Sequence, residues 1–204
     1  MNLEESITLI KSFITTDFKL AEGIDIAERQ ALENEKGISF PPELKAYIET
    51  VCPNLNLAIE SVGPPVELLS RDKMSWTLPG YNFNPETNEK IENWDDDWFL
   101  IGHEGADPII VSLKDQGPNS PVYSAIHGTG VWEFCPIADS IGEFLACAFA
   151  VEHALNFPGI DQPMDDDFNL LEIPAQWLFP FIKKYAEPYY DEWVGVFENY
   201  LDEY

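Results

Sequence analysis

Residues 98–113 read WFLIGHEGADPIIVSL, two apolar runs around a short stretch that holds His103, Glu104 and Asp107. The flanks decide the fold. Residues 98–101 and 108–113 are rich in β-branched and aromatic side chains, the composition of paired strands. Gly105 and the Asp107-Pro108 pair are what a tight connection asks of its residues. A β-hairpin bent at HEGAD is therefore expected. As a catalytic cluster the same residues are weak, because a general base needs hydrogen-bond reach to its proton and a nucleophile needs a positioned base. No serine or cysteine stands beside His103 in an elbow, and no second histidine follows four residues on. On a loop the three side chains would splay outward.

Upstream, Leu3, Ile7, Ile10 and Ile14 recur at helical spacing over residues 3–16. Glu4 and Glu5 fall in the first turn, where the helix dipole favours acids. A second helix is expected over residues 25–36, closed by Gly37 in the left-handed conformation. In ISFPPELKAYIETV (38–51), Phe40 precedes a proline and is pushed out of the α region. The prolines suit a helix's first turn, Leu44, Tyr47, Ile48 and Val51 form one apolar face, and Pro53 ends it. Residues 54–69 alternate around Gly63-Pro64-Pro65 and read as one or two short strands, whereas 79–97 read as a polar loop.

Downstream, strands are expected at 122–126 and 131–135, separated by the HGTG turn. Asp139 or Ser140 caps a helix that runs to about Asn156. Residues 157–177 read as a connector with little regular structure. Two helical stretches follow, 174–186 and 187–204, the last presenting Tyr189, Trp193, Val196, Phe197 and Tyr200 on one face. Helices, then antiparallel strands, then helices make an α+β layout rather than βαβ alternation. Residues 1–155 are expected to form the α+β domain and 156–204 an acidic, aromatic helical extension packed on it.

The chain of 204 residues, 45% hydrophobic, has room for one sizeable core. Charge is its strongest compositional signal: 37 acidic residues against 11 basic ones leave a net charge of −26. There is no Lys or Arg from Asp115 to Ile182, and none after Lys184. Such a surface repels a nucleic-acid backbone or an anionic membrane and attracts a basic protein. A surface that serves solubility alone is the plain alternative. No apolar run approaches the roughly 18–20 residues a bilayer span needs. The acidic start lacks the marks of a secretory signal, so a cytoplasmic location is expected, with Cys52, Cys135 and Cys147 as free, mostly buried thiols.

The three histidines are widely separated, and neither Asp95–Asp97 nor Asp165–Asp167 fits the alternating calcium loop. HGTG lies between strands and makes no phosphate cradle. No metal and no cofactor are expected. Trp94, Asp95, Asp96 and Asp97 in NWDDDW, and Asp165, Asp166 and Asp167 before Phe168, are the candidate partner-binding residues. Aromatic anchors rimmed by carboxylates are what a binding surface for a basic protein uses. Reversing charge with Asp95→Lys/Asp97→Lys is expected to slow association and leave the melting temperature nearly unchanged.

From about Ile24 to Ala150 the chain resembles the SUKH superfamily, the Smi/Knr-like fold of fungal cell-wall regulators and bacterial toxin-immunity proteins. Four segments carry the likeness in the family's order: EKGISFPPELKAYI (35–48), WFLIGHEGADPIIVSL (98–113), SPVYSAIHG (120–128) and CPIADSIGEFL (135–145). The insertion VCPNLNLAIESVGPP (51–65), the first 20 residues and those beyond about 155 lie outside the pattern. The resemblance implies a mixed sheet packed by helices, no catalytic apparatus, and a role as an immunity protein. Its carboxylates would pair with the lysines and arginines that a nuclease-like toxin uses for phosphates, occluding the toxin's active site. The other reading is an intracellular scaffold or regulator that binds a peptide or small ligand in the sheet cleft.

Overall fold

The computed structural model describes residues 1–14, 23–73 and 78–202. Asn2 opens the first helix, α1 (Leu3–Phe13), with a capping box: its side chain accepts from the Glu5 N–H, and Glu5 accepts from the Asn2 N–H. Ile14 already turns extended, and Thr15 and Thr16 lie outside the described residues. Asp25 caps α2 (Ile26–Lys36), and Gly37 closes it at φ +67°, a conformation that favours glycine. α3 (Pro42–Thr50) starts on proline, buries Leu44, Tyr47 and Ile48, and stops before Pro53 is reached.

Two short strands follow, β1 (Leu57–Ile59) and β2 (Val66–Leu68). Within the expected polar loop lies a small hairpin of β3 (Phe83–Asn84) and β4 (Glu89–Lys90). The main hairpin is β5 (Trp98–Glu104) and β6 (Asp107–Ser112), then β7 (Val122–Ser124) and β8 (Cys135–Ala138). The six-stranded sheet has the order β1-β2-β5-β6-β7-β8, every pair antiparallel, so the mixed sheet implied by the resemblance is antiparallel throughout.

The hairpin bends more tightly than expected. Its turn is Gly105-Ala106 alone, with Gly105 at φ +57°, while His103, Glu104 and Asp107 stand in the ladder rather than on a loop. The strand expected at 131–135 is displaced to Cys135–Ala138. Its alternation is real, since Trp132 and Phe134 face inward between exposed neighbours, but these residues pack on rings instead of pairing. The ladder is taken by 135–138 through a register shift at Val122/Tyr123, and Pro136 is tolerated because β8 is an edge strand.

Ser140 caps α4 (Ile141–Leu155), a helix apolar on nearly every side and buried accordingly. One side of α4 meets the sheet and α1 through Phe144, Leu145 and Ala148. Its other side meets α5 (Glu172–Tyr185) through Cys147, Ala150 and Ala154. The long terminal helix expected at 187–204 is only α6 (Tyr190–Val194) after a 3₁₀ turn at Glu187–Tyr189. Aromatic and β-branched residues and Gly195 hold a helix weakly, and burial of Phe197 beside Phe179 bends the chain into tight turns instead. Glu203 and Tyr204 lie outside the described residues. A third core covers the outer sheet face, where Leu100 and Ile110 meet Trp94, Trp98, Trp132 and Phe134. Of the free cysteines, Cys52 and Cys147 are buried and Cys135 is exposed.

Candidate partner-binding surfaces

NWDDDW folds so that its tryptophan and its aspartates do different work. Trp94, expected as an outward anchor, is 4% exposed, its ring 5.6 Å from those of Trp98 and Trp132 and 5.9 Å from Phe134. Packing, not a partner, holds it; Trp94 fixes the loop from below. The three aspartates that follow are already paired. Lys114 Nζ lies 2.8 Å from both Asp95 and Asp97, and Lys90 lies 3.1 Å from Asp96. Asp95 also accepts the Asp97 N–H at 3.0 Å. The Lys114 hydrogen bond, helped by that N–H, holds the Asp95 carboxyl below its usual range, and the hydrogen bonds to the Asp95 and Asp97 carboxylates push Lys114 above its own. Asp95→Lys/Asp97→Lys would therefore gather three ammonium groups, so the loop's stability changes as well as its charge.

Asp165 organises its own turn, accepting N–H bonds from Asp167 at 3.0 Å and Asn169 at 2.8 Å. The Asn169 bonds hold its carboxyl low. Asp166 and Asp167 face solvent beside Phe168, itself 48% exposed. The two triplets do not converge: Asp96 and Asp97 border a cavity with Leu78 and Trp98, whereas Asp165 and Asp166 border one with Glu60 and Leu155.

The structure does assemble an acidic surface, from residues the sequence reading passed over or assigned to a bend. In the β5–β6 ladder Glu104 stands directly opposite Asp107. Glu104 accepts the Ser61 hydroxyl at 2.8 Å, and Asp107 accepts the His127 N–H at 2.6 Å. His103 Nε2 lies 3.7 Å from Glu67, its cross-strand partner on β2. Glu104 rims a cavity of about 280 Å³ over Ile109, Phe144 and Trp193, with Glu60 and Glu192 also on its wall. Asp107 and Glu133 rim the adjoining cavity of about 340 Å³, which shares Ser124, Ile137 and Glu192. The signal available in the sequence was the pair of acids flanking Gly105-Ala106, which a two-residue turn makes cross-strand neighbours.

Among the described residues no group of three or more His, Cys, Asp or Glu side chains could hold a metal ion, and no helix is long and apolar enough to cross a membrane. The antiparallel sheet closed by α4 defines an α+β class of fold. The chain belongs to the SMI1 / KNR4 family (SUKH-1), whose model matches residues 23–147. No curated protein matches the chain.

Proposed function

We propose that this chain is a non-catalytic, cytoplasmic immunity protein that binds a basic toxin domain, nuclease-like in chemistry, and covers its active site. The observation that carries this reading is the union of the SUKH-1 match with a run from Asp115 to Ile182 free of Lys and Arg, which supplies β7, β8, α4 and most of α5. A toxin that holds phosphates presents lysines and arginines, and opposed potentials steer it to this surface. Asp96 and Asp165–Asp167 contribute exposed carboxylates, and Asp95 and Asp97 half-buried ones, with Trp94 supporting residues 95–97 from within. A scaffold or regulator that takes a peptide or small ligand is the second reading, favoured by the cavity over Ile109 and Phe144.

Pull-down from the host lysate at about 50 mM and about 300 mM salt separates the two, since screening weakens charge-driven contacts. A single basic, nuclease-like protein retained at low salt and released at high salt is the expected result. Recovery of multi-protein assemblies at both salts favours the scaffold.

A further inference from the structure

We infer that the groove formed by the two adjoining cavities, between the β5–β8 side of the sheet and α6, docks a cationic amphipathic segment of the partner protein. This deepens the proposed function and rests on it. The groove's interior is apolar: Ile109, Phe144 and Ala148 are buried beneath it, with Ile137 and Trp193 along its wall. Val196 on the wall is 45% exposed, and Ile126 in the adjoining cavity is 69% exposed, so greasy surface reaches the mouth.

Around that floor stand Glu60, Glu104, Glu192, Asp107 and Glu133, and neither cavity has a Lys or Arg in its lining. None of the five forms an ion pair with a described residue, in contrast to the lysine-bound aspartates at 95–97. Glu104 and Asp107 face each other across the hairpin, and like charges directly opposite are destabilising. An incoming ammonium or guanidinium group relieves that repulsion. The carboxylates are too dispersed to form a metal cluster, so their spacing suits several side-chain cations on one segment. Strand addition is a poor fit, because Pro136 on the β8 edge lacks an N–H and Trp193 Nε1 already donates to the Ile137 carbonyl at 2.9 Å. Side chains, not a backbone ladder, therefore make the contact.

The full chain can be titrated at low salt with a Leu/Lys amphipathic peptide and with its Leu/Glu counterpart, following the Trp193 indole N–H and the Asp107 and Val196 amides by NMR. The Leu/Lys peptide is expected to bind and to move these signals, and the Leu/Glu peptide to bind far more weakly. Glu104→Gln/Glu192→Gln should weaken binding about tenfold, the worth of two partly exposed pairs, while Glu35→Gln on α2 leaves it unchanged. Equal affinity in the double variant, absence of binding, shifts confined to residues outside the groove, or equal binding of the Leu/Glu peptide overturns the inference. If the peptide misses the groove while the lysate yields a basic partner, the docking site falls and the proposed function stands. If the peptide occupies the groove but no basic partner exists, the reverse holds.

Discussion

Glu33 shows how one carboxylate in an acid-rich chain can be structural. It is 9% exposed, pairs with Arg29 one turn earlier, lies 3.4 Å from Lys45, and accepts the Phe40 N–H at 2.7 Å. It thus ties the end of α2 to the start of α3 across Gly37. Burial opposes its charge, but the Phe40 bond and the two cations outweigh burial and hold the carboxyl below its ordinary range. A lowered folded value means a contribution present above the ordinary carboxylate range and lost as pH falls through that lowered value. Glu33→Gln leaves Arg29, itself 8% exposed, short of one carboxylate, and should cost about 2 kcal/mol near neutrality. Urea midpoints at about pH 7 and about pH 3 check this, with the gap between wild type and variant closing at the lower pH. A gap of constant size would show that shape, not charge, matters at this position.

At the scale of elements, α1 and α4 pack backbone against backbone. A Cβ on Gly142 would lie 2.8 Å from the Asn2 carbonyl carbon and oxygen and 3.0 Å from the Leu3 Cα. Ser6 also donates to the Gly142 carbonyl at 2.5 Å. Gly142→Ala gains up to about 1 kcal/mol of helix propensity but forces backbone apart at a cost of about 1–3 kcal/mol, so a net loss is expected. Faster amide exchange in α1 with α4 unchanged would place the damage at this contact; a more stable variant would refute it. Helices α1, α2 and α4 were readable in advance because their signals are local: Glu4 and Glu5 in a first turn, Asp25 and Gly37, Ser140. The displaced β8 was not, since Trp132 and Phe134 alternate like a strand yet answer to rings from residues 81–98. The acidic triplets were legible as composition, but Lys114 reaches Asp95 from 19 residues away, and no local pattern announces that pairing. The groove depends on Glu60, Glu104 and Glu192 meeting from three distant segments, which only the fold brings about.

For the whole molecule, a net charge of −26 must be held in one compact body, and self-repulsion opposes that. Burial also pushes three carboxyls, Glu43, Glu143 and Glu152, above their ordinary range. Glu43 resists the push with N–H bonds from Ser120, Ile141 and Gly142, yet burial prevails. For these three the contribution is full below the ordinary carboxylate value and is lost as pH rises through the raised one. Glu33 and Asp95 run the other way, losing theirs as pH falls through lowered values. His153, half-buried among Phe13, Phe157 and Trp177, is held low by burial and likewise loses its share on acidification. Raised carboxyls and surface repulsion erode stability on the alkaline side, while lowered carboxyls and His153 erode it on the acid side. The melting temperature should therefore peak between about pH 5 and about pH 6 and fall by pH 8. Added salt should raise it more at pH 8 than at the peak, because screening acts on exposed charge and leaves the buried carboxyls nearly untouched. Salt that restores the pH 8 value fully would assign the alkaline loss to surface repulsion alone and remove Glu43, Glu143 and Glu152 from the account. A remainder that salt cannot recover, and that Glu152→Gln reduces, would place it on the buried groups.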